Sequence, residues 1–311
     1  MTPFRDVDDV RTQLALTGYL ADKGTATAAL LCARLERPLL VEGAAGVGKT
    51  ELAHALARAQ GRRLIRLQCY EGIDESRALY EWEYAKQLLY TQILRDRLAS
   101  IVDAHASLDE AVHALARSGS AFFSEPFLLP RPLLQALRSE DPCVLLIDEI
   151  DKADPEFEAF LLELLADFAV TIPELGTLRA VHRPQVVLTS NASRELSDPL
   201  RRRCLHLSIA FPDAERELAI VRARLPDVDE RLARAVVAAV QLIRTLDVRK
   251  LPSISETLDW VRALGVLGRT VVDEETLQAT IGVLVKHKDD AALVLEKRAA
   301  IVQTSIEALN P

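Results

Sequence analysis

The stretch Gly43-Ala44-Ala45-Gly46-Val47-Gly48-Lys49-Thr50 sits between the apolar run Leu39-Leu40-Val41 and the helix-forming segment Glu51-Leu52-Ala53-His54-Ala55-Leu56-Ala57. Strand, glycine loop and helix in that order constrain the chain to an α/β fold whose first turn cradles phosphate. Gly43 and Gly48 permit positive φ, which turns successive backbone N–H groups inward. The helix that follows adds the positive end of its dipole. Lys49 offers a mobile point charge to β- and γ-phosphates, and the Thr50 hydroxyl is a ligand for the Mg²⁺ they carry. A chance match in a glycine-bearing loop would lack the flanking strand and helix. Gly43 to Thr50, with Glu51 opening the helix, are the candidate nucleotide-binding residues, and ATP with Mg²⁺ is the expected cofactor.

A phosphate loop needs a metal-binding carboxylate, and Cys143-Val144-Leu145-Leu146-Ile147-Asp148-Glu149 offers one. An apolar run ending in two acids reads as a buried parallel strand with the acids at its tip. In that reading Asp148 holds Mg²⁺ through water and Glu149 orients the water that attacks the γ-phosphate. Two acids opening a helix after a core strand are the alternative; the loop at Gly43 favours the catalytic one. A further buried strand, Gln185 to Ser190, ends at Asn191. Its amide either holds the attacking water or γ-phosphate or merely turns the chain.

The 311 residues suffice for two domains, or one with a lid, and 49% of them are apolar. A formal charge of -8 argues against a broad polyanion-binding surface, though not against a local basic pore, so nucleic acid is not the first expected partner. Cys32, Cys69, Cys143 and Cys204 are too widely spaced for a metal site and read as reduced, structural thiols. No basic start with an apolar core and no bilayer-length run is seen, so a cytoplasmic location is expected.

From Asp6 to Leu35 the chain is helix-forming, with break signals at Gly18 and Gly24; Gly18-Tyr19 is either a contact for the nucleotide base or ordinary packing. Arg63 to Cys69 supplies a second strand. Tyr70 to Tyr90 concentrates aromatics, Tyr80, Trp82 and Tyr84 among them, and reads either as a surface insert or as a small satellite core. Arg95 to Gly119 has helical spacing, Ser118 to Pro130 reads as an exposed stretch with Phe122, Phe123 and Phe127, and Arg131 to Glu140 reads as helix. Asp154-Pro155 starts a helix with an apolar stripe, and Val170 to Ala180 reads as a hairpin. Asp198 to Arg203 leads into a fifth strand, Cys204 to Ile209, placing three arginines at a strand start where they are solvated or reach a neighbouring subunit's γ-phosphate. Beyond Phe211-Pro212 only helix patterns remain, about 214–224, 229–246, 255–267, 273–285 and 289–301.

In their order these features look like an AAA+ ATPase: a P-loop NTPase with a parallel five-stranded sheet flanked by helices and an all-α C-terminal lid. More narrowly the chain resembles the MoxR family, CoxD-like branch. The resemblance is carried by Gly43 to Thr50, Glu81-Trp82-Glu83-Tyr84-Ala85-Lys86-Gln87-Leu88-Leu89-Tyr90, Asp148-Glu149-Ile150-Asp151-Lys152-Ala153, Thr189-Ser190-Asn191 and Leu200-Arg201-Arg202-Arg203-Cys204. It implies a nucleotide-binding domain over 1–211, with a helix-2 insert about 70–94 and a pre-sensor-1 hairpin about 170–180, and a lid over 212–311. It implies hexameric rings, ATP at subunit boundaries, a von Willebrand factor A domain partner and a protein client, often a metalloenzyme to be matured. Lys49 and Thr50 take the Walker A roles, Asp148 and Glu149 the Walker B roles, Asn191 that of sensor 1, and Arg203, with Arg202 second, that of the trans-acting finger. One departure stands out: no Arg occupies Ser253 to Leu258, where many relatives carry a lid arginine, leaving Arg249 or Lys250 to substitute or the lid contact weakened. A small-molecule kinase and a nucleic-acid AAA+ machine are the rival readings; Glu149, Asn191, the helical C-terminal region and the acidic balance disfavour them.

Overall fold

A computed structural model of the chain describes residues 4–93, 125–173 and 175–309. The helix expected over Arg95 to Gly119, and Phe122-Phe123, lie outside the described residues. In chain order the elements are α1 (Val7–Leu16), α2 (Lys23–Leu35), β1 (Leu39–Glu42), α3 (Lys49–Ala59), β2 (Arg63–Gln68), α4 (Glu75–Ala78), β3 (Tyr80–Trp82) and α5 (Tyr84–Ile93). After the insert come β4 (Leu128–Pro130), α6 (Pro132–Leu137), β5 (Cys143–Asp148), α7 (Pro155–Asp167), β6 (Ala169–Ile172), β7 (Gly176–Arg179), β8 (Gln185–Ser190), α8 (Asp198–Arg203) and β9 (Leu205–Ser208). The rest is helical: α9 (Ala214–Arg224), α10 (Glu230–Ile243), α11 (Ile254–Val266), α12 (Glu274–Leu284), α13 (Lys288–Glu296) and α14 (Arg298–Glu307).

The main sheet has five parallel strands in the order β2-β5-β8-β1-β9, flanked by helices. Every residue of β5 and β8 is buried, which is why both read as unbroken apolar runs rather than alternating ones. Register pairs Gln68 with Asp148 and Ile147 with Leu188. Two small antiparallel ribbons, β3-β4 and β6-β7, stand apart from this sheet. The residues form two compact units, Met1–Leu30 with Val41–Ala59 and His206–Pro311, and Leu31–Leu40 with Gln60–Leu205. The core of the second gathers Leu145, Ile147, Phe157, Leu161, Leu188 and Trp82. That of the first is helical, built on Val236, Val240, Trp260, Val261, Leu277 and Ile301. Among the described residues no helix is long and apolar enough to cross a membrane. All four cysteines are free and buried, and burial pushes Cys32, Cys69 and Cys204 up to about 12, leaving inert thiols.

Several local expectations change. Gly24 lies within the first turn of α2 rather than breaking it, because Asp22 accepts the Thr25 N–H at 2.6 Å and caps the helix upstream of it. Arg201 to Arg203 belong to a short helix, α8, with Pro199 in its first turn, not to a strand start. Trp82 is buried in a strand, β3, paired with Leu128, while Phe127 is buried edge-on to Tyr90 at 5.2 Å and is not part of an exposed stretch. Both strands are only three residues long, too short for an alternating pattern to show. The last expected helix is two, divided at Lys297 between α13 and α14.

Candidate functional site

In the first unit, β1 delivers the chain into the glycine loop and α3 begins at Lys49. Gly46 holds φ +76°, and a Cβ there would lie 2.2 Å from the Ser253 Cβ, so glycine is required by both conformation and space. Gly43 is fixed by crowding: its Cβ would stand 2.2 Å from the Ile209 carbonyl oxygen. Lys49 is buried and its ammonium donates to the carbonyls of Gly43 at 2.8 Å and Ala44 at 2.7 Å, arching over the loop. Gly46, Val47 and Gly48 open onto a cavity of about 260 Å³. Its other walls are Gly18, Tyr19 and Leu20 from the turn after α1, Glu51 from α3, Ile209 to Pro212, Ile220 on α9 and Ile254, Ser255 and Leu258 on α11. A partly open cavity beside a phosphate loop, with apolar walls at Val47, Ile209, Ile220, Ile254 and Leu258, suits a flat heterocycle. Gly18 and Tyr19 therefore share a cavity with the loop, and burial pushes the Tyr19 phenol up, keeping it neutral.

Three arginines that sequence reading passed over also line this cavity: Arg216, Arg224 and Arg262. Arg224 pairs with Glu51 at 2.7 Å, and Arg216 with Asp22 at 2.6 Å. Burial favours the neutral acid at Glu51, but hydrogen bonds and charge from Arg224 and Arg58 outweigh it and hold that carboxyl below its ordinary value. Arg262 stands four residues after Leu258 and eight after Ile254, on the face of α11 that meets the cavity; that i, i+4, i+8 spacing was legible in advance. The Arg249 guanidinium instead pairs with Asp289 at 2.8 Å, and the backbone N–H groups of Arg249 and Lys250 bond Asp290. At the start of α11, Ser253 and Glu256 form a capping box.

In the second unit, β5 ends in the acid pair. Asp148 is buried, its Oδ1 accepting from the Thr189 hydroxyl at 2.6 Å and its Oδ2 from Arg66 Nη2 at 2.6 Å and Nε at 3.1 Å. Thr189 in turn accepts the Glu149 N–H at 2.9 Å. Glu149 has left-handed backbone, φ 57°, an uncommon conformation for a non-glycine residue. Its carboxylate accepts from Gln68 at 3.0 Å, Lys152 at 2.6 Å and the Asn191 amide at 3.5 Å. The Asn191 loop is held by Asp151, whose Oδ2 takes the N–H groups of Asn191 and Ser193 and the Ser193 hydroxyl. Burial raises the Asp151 carboxyl, but these donors outweigh it and leave it below the ordinary value. Arg201, Arg202 and Arg203 are exposed; the Arg203 guanidinium donates to the Leu162 carbonyl, and Arg201 lies 3.7 Å from Glu195.

Among the described residues no group of His, Cys, Asp and Glu could hold a metal by itself. Mg²⁺ does not need such a cage, since it keeps waters and takes most of its ligands from phosphate with one or two protein oxygens. The Thr50 hydroxyl in the first unit and the Asp148 carboxylate in the second are each hard oxygen donors of the kind Mg²⁺ takes.

The fold is that of a P-loop nucleotide-binding protein. More closely, the AAA domain family, dynein-related subfamily, matches residues 38–204, more than half of the 311, and the chain belongs to that family. Among solved structures, a RuvB mutant from Thermotoga maritima matches over 93% of this chain and 73% of that one, at 19% identity and a TM-score of 0.45. Membership of this ATPase family brings nucleotide binding with it.

Proposed function

We propose that the protein is an Mg-ATP-hydrolysing motor of the MoxR type, CoxD-like branch, which works as a homo-oligomeric ring to remodel a protein client. What supports the ATPase part of this reading is a complete phosphate loop opening onto a cavity in the first unit and, in the second, an acid pair whose second member bonds Gln68, Lys152 and the Asn191 amide. In this reading Lys49 and the N–H groups of Gly43 to Thr50 hold the phosphates, and Gly18-Tyr19 packs on the base. Thr50 and Asp148 would hold Mg²⁺, which neutralises phosphate charge when bound. Glu149 takes up the proton of the attacking water while Asn191 fixes its position. Arg203 acts on a neighbouring subunit's nucleotide. Residues 1–211 would serve as the nucleotide-binding domain and 212–311 as its lid, with the α11 face at Ile254 and Leu258 closing on the base.

A protein client is favoured over nucleic acid by the net charge of -8 and by the exposed Tyr84, Leu88, Leu89 and Tyr90 on α5. The partner expected from the resemblance is a von Willebrand factor A domain protein acting on a metalloenzyme in the cytoplasm. A Glu149→Gln pull-down with ATP, followed by mass spectrometry, tests this, because a form that binds without turnover retains its clients. Recovery of a von Willebrand factor A protein supports the assignment; recovery of nucleic acid overturns it. Arg203→Ala tests the finger: hydrolysis should fall while nucleotide stays bound, and turnover at the parental rate removes Arg203 from the site.

A further inference from the structure

Asp148 sits in the second unit as a nearly buried acid, its side chain 3% exposed, against an Arg66 side chain that is 48% exposed. The guanidinium places two N–H groups on one carboxylate oxygen, Oδ2, while Thr189 takes the other. Arg66 also donates to Gln68 Oε1, and Gln68 donates to Glu149. Arg66 and Gln68 lie two residues apart on β2 and form one polar unit laid along both acids. β2 pairs with β5 through its backbone, so this side-chain unit is separate from the ladder and supplies the charge that compensates the nearly buried Asp148.

We infer that Arg66 is a positioning residue that competes with divalent metal for Asp148 and so sets the Mg²⁺ concentration at which nucleotide is held. The inference rests on Asp148 being the acid that serves the metal. Arg66 puts two N–H groups on Oδ2, so a hydrated cation brought to the same carboxylate meets the guanidinium charge, and two positive charges on one carboxylate repel each other. Asp148 serves the metal only as its ion pair with Arg66 loosens. The half-exposed guanidinium has room to swing into solvent, which makes the exchange accessible without unfolding the strand end.

Arg66→Gln removes the charge and keeps a donor; Arg66→Lys keeps the charge without the fork. Binding of a fluorescent ATP analogue is followed while free Mg²⁺ is titrated, with thermal unfolding confirming that each variant is folded. An ion pair of this exposure corresponds to roughly a fivefold change in an equilibrium constant. Arg66→Gln should therefore reach half-saturation at about fivefold lower Mg²⁺, and Arg66→Lys should stay near the parent. In an Asp148→Asn background the shift should vanish. A half-saturation point unchanged or raised in Arg66→Gln, or a shift of equal size with Asp148→Asn, would overturn the inference while leaving the ATPase assignment standing. Analogue binding by the parent that ignores Mg²⁺ would likewise overturn the inference, whereas only absence of phosphate release from Mg-ATP would overturn the ATPase assignment.

Discussion

The phosphate loop and the acid pair are built by different means. At Gly43 to Thr50 the functional groups are mostly backbone: glycine conformation, crowding against Ser253 and Ile209, and a lysine satisfied by carbonyls of its own loop. At Asp148-Glu149 they are side chains, each held by donors 40 residues or more away in sequence, except Lys152. A site made from local backbone tolerates little change at its glycines and leaves a fixed spacing in the sequence. One made from a network spreads its cost over many residues and shows in sequence only its acid pair, not the partners that hold it.

The contrast can be broken at several points. The largest effect is expected at Glu149→Gln, which should lower turnover by about 10²- to 10⁴-fold, the range for a lost general base, with nucleotide binding retained in equilibrium titration. Next is the helical core, where the Glu217 carboxylate is fully buried against Arg244, Gln241 and Thr257. Arg244→Met should cost about 3–5 kcal/mol, because it strands a buried charge, and denaturant unfolding would detect it. Gly46→Ala should follow at about 2–3 kcal/mol, combining left-handed strain with overlap on Ser253. Its mark would be nucleotide affinity falling together with the thermal midpoint; a neutral result would remove the requirement for glycine there.

The smallest effect concerns Asp151. Its carboxyl titrates below the ordinary value in the folded chain, so the stability it contributes is complete above the unfolded value near 3.9 and is lost as pH falls through the lower folded one. Asp151→Asn should cost about 1–2 kcal/mol near neutrality and flatten the acid limb of a stability-against-pH curve. An unchanged acid limb would show that the Asn191 loop does not depend on that charge.

Legibility in the sequence follows the same contrast. Gly43 to Thr50, the unbroken apolar runs of β5 and β8 and the stripe of α7 are local patterns, and each appears where its period or spacing puts it. Arg66 and Gln68 carry no pattern of their own, and Thr189, though it belongs to the Thr189-Ser190-Asn191 stretch, gives no sign in sequence of its bond to Asp148; only the pairing of β2, β5 and β8 brings them to the acids. Arg216 and Arg224 are likewise ordinary residues of a mostly polar helix until the fold turns them toward a cavity. Arg262 is the exception, since its spacing from Ile254 and Leu258 already marks the face it shares. The β3-β4 ribbon was illegible because the partner of Trp82 lies across the insert, at Leu128.

The central claim is that this loop binds ATP and that binding leads to hydrolysis. The most direct measurement is phosphate release from Mg-ATP by the intact protein beside its Lys49→Ala form, with ATP affinity determined on both. Turnover by the parent is predicted, with affinity about 100- to 1,000-fold weaker and turnover absent once the buried ammonium is gone. Parental affinity and rate in Lys49→Ala would place the nucleotide elsewhere and contradict the account.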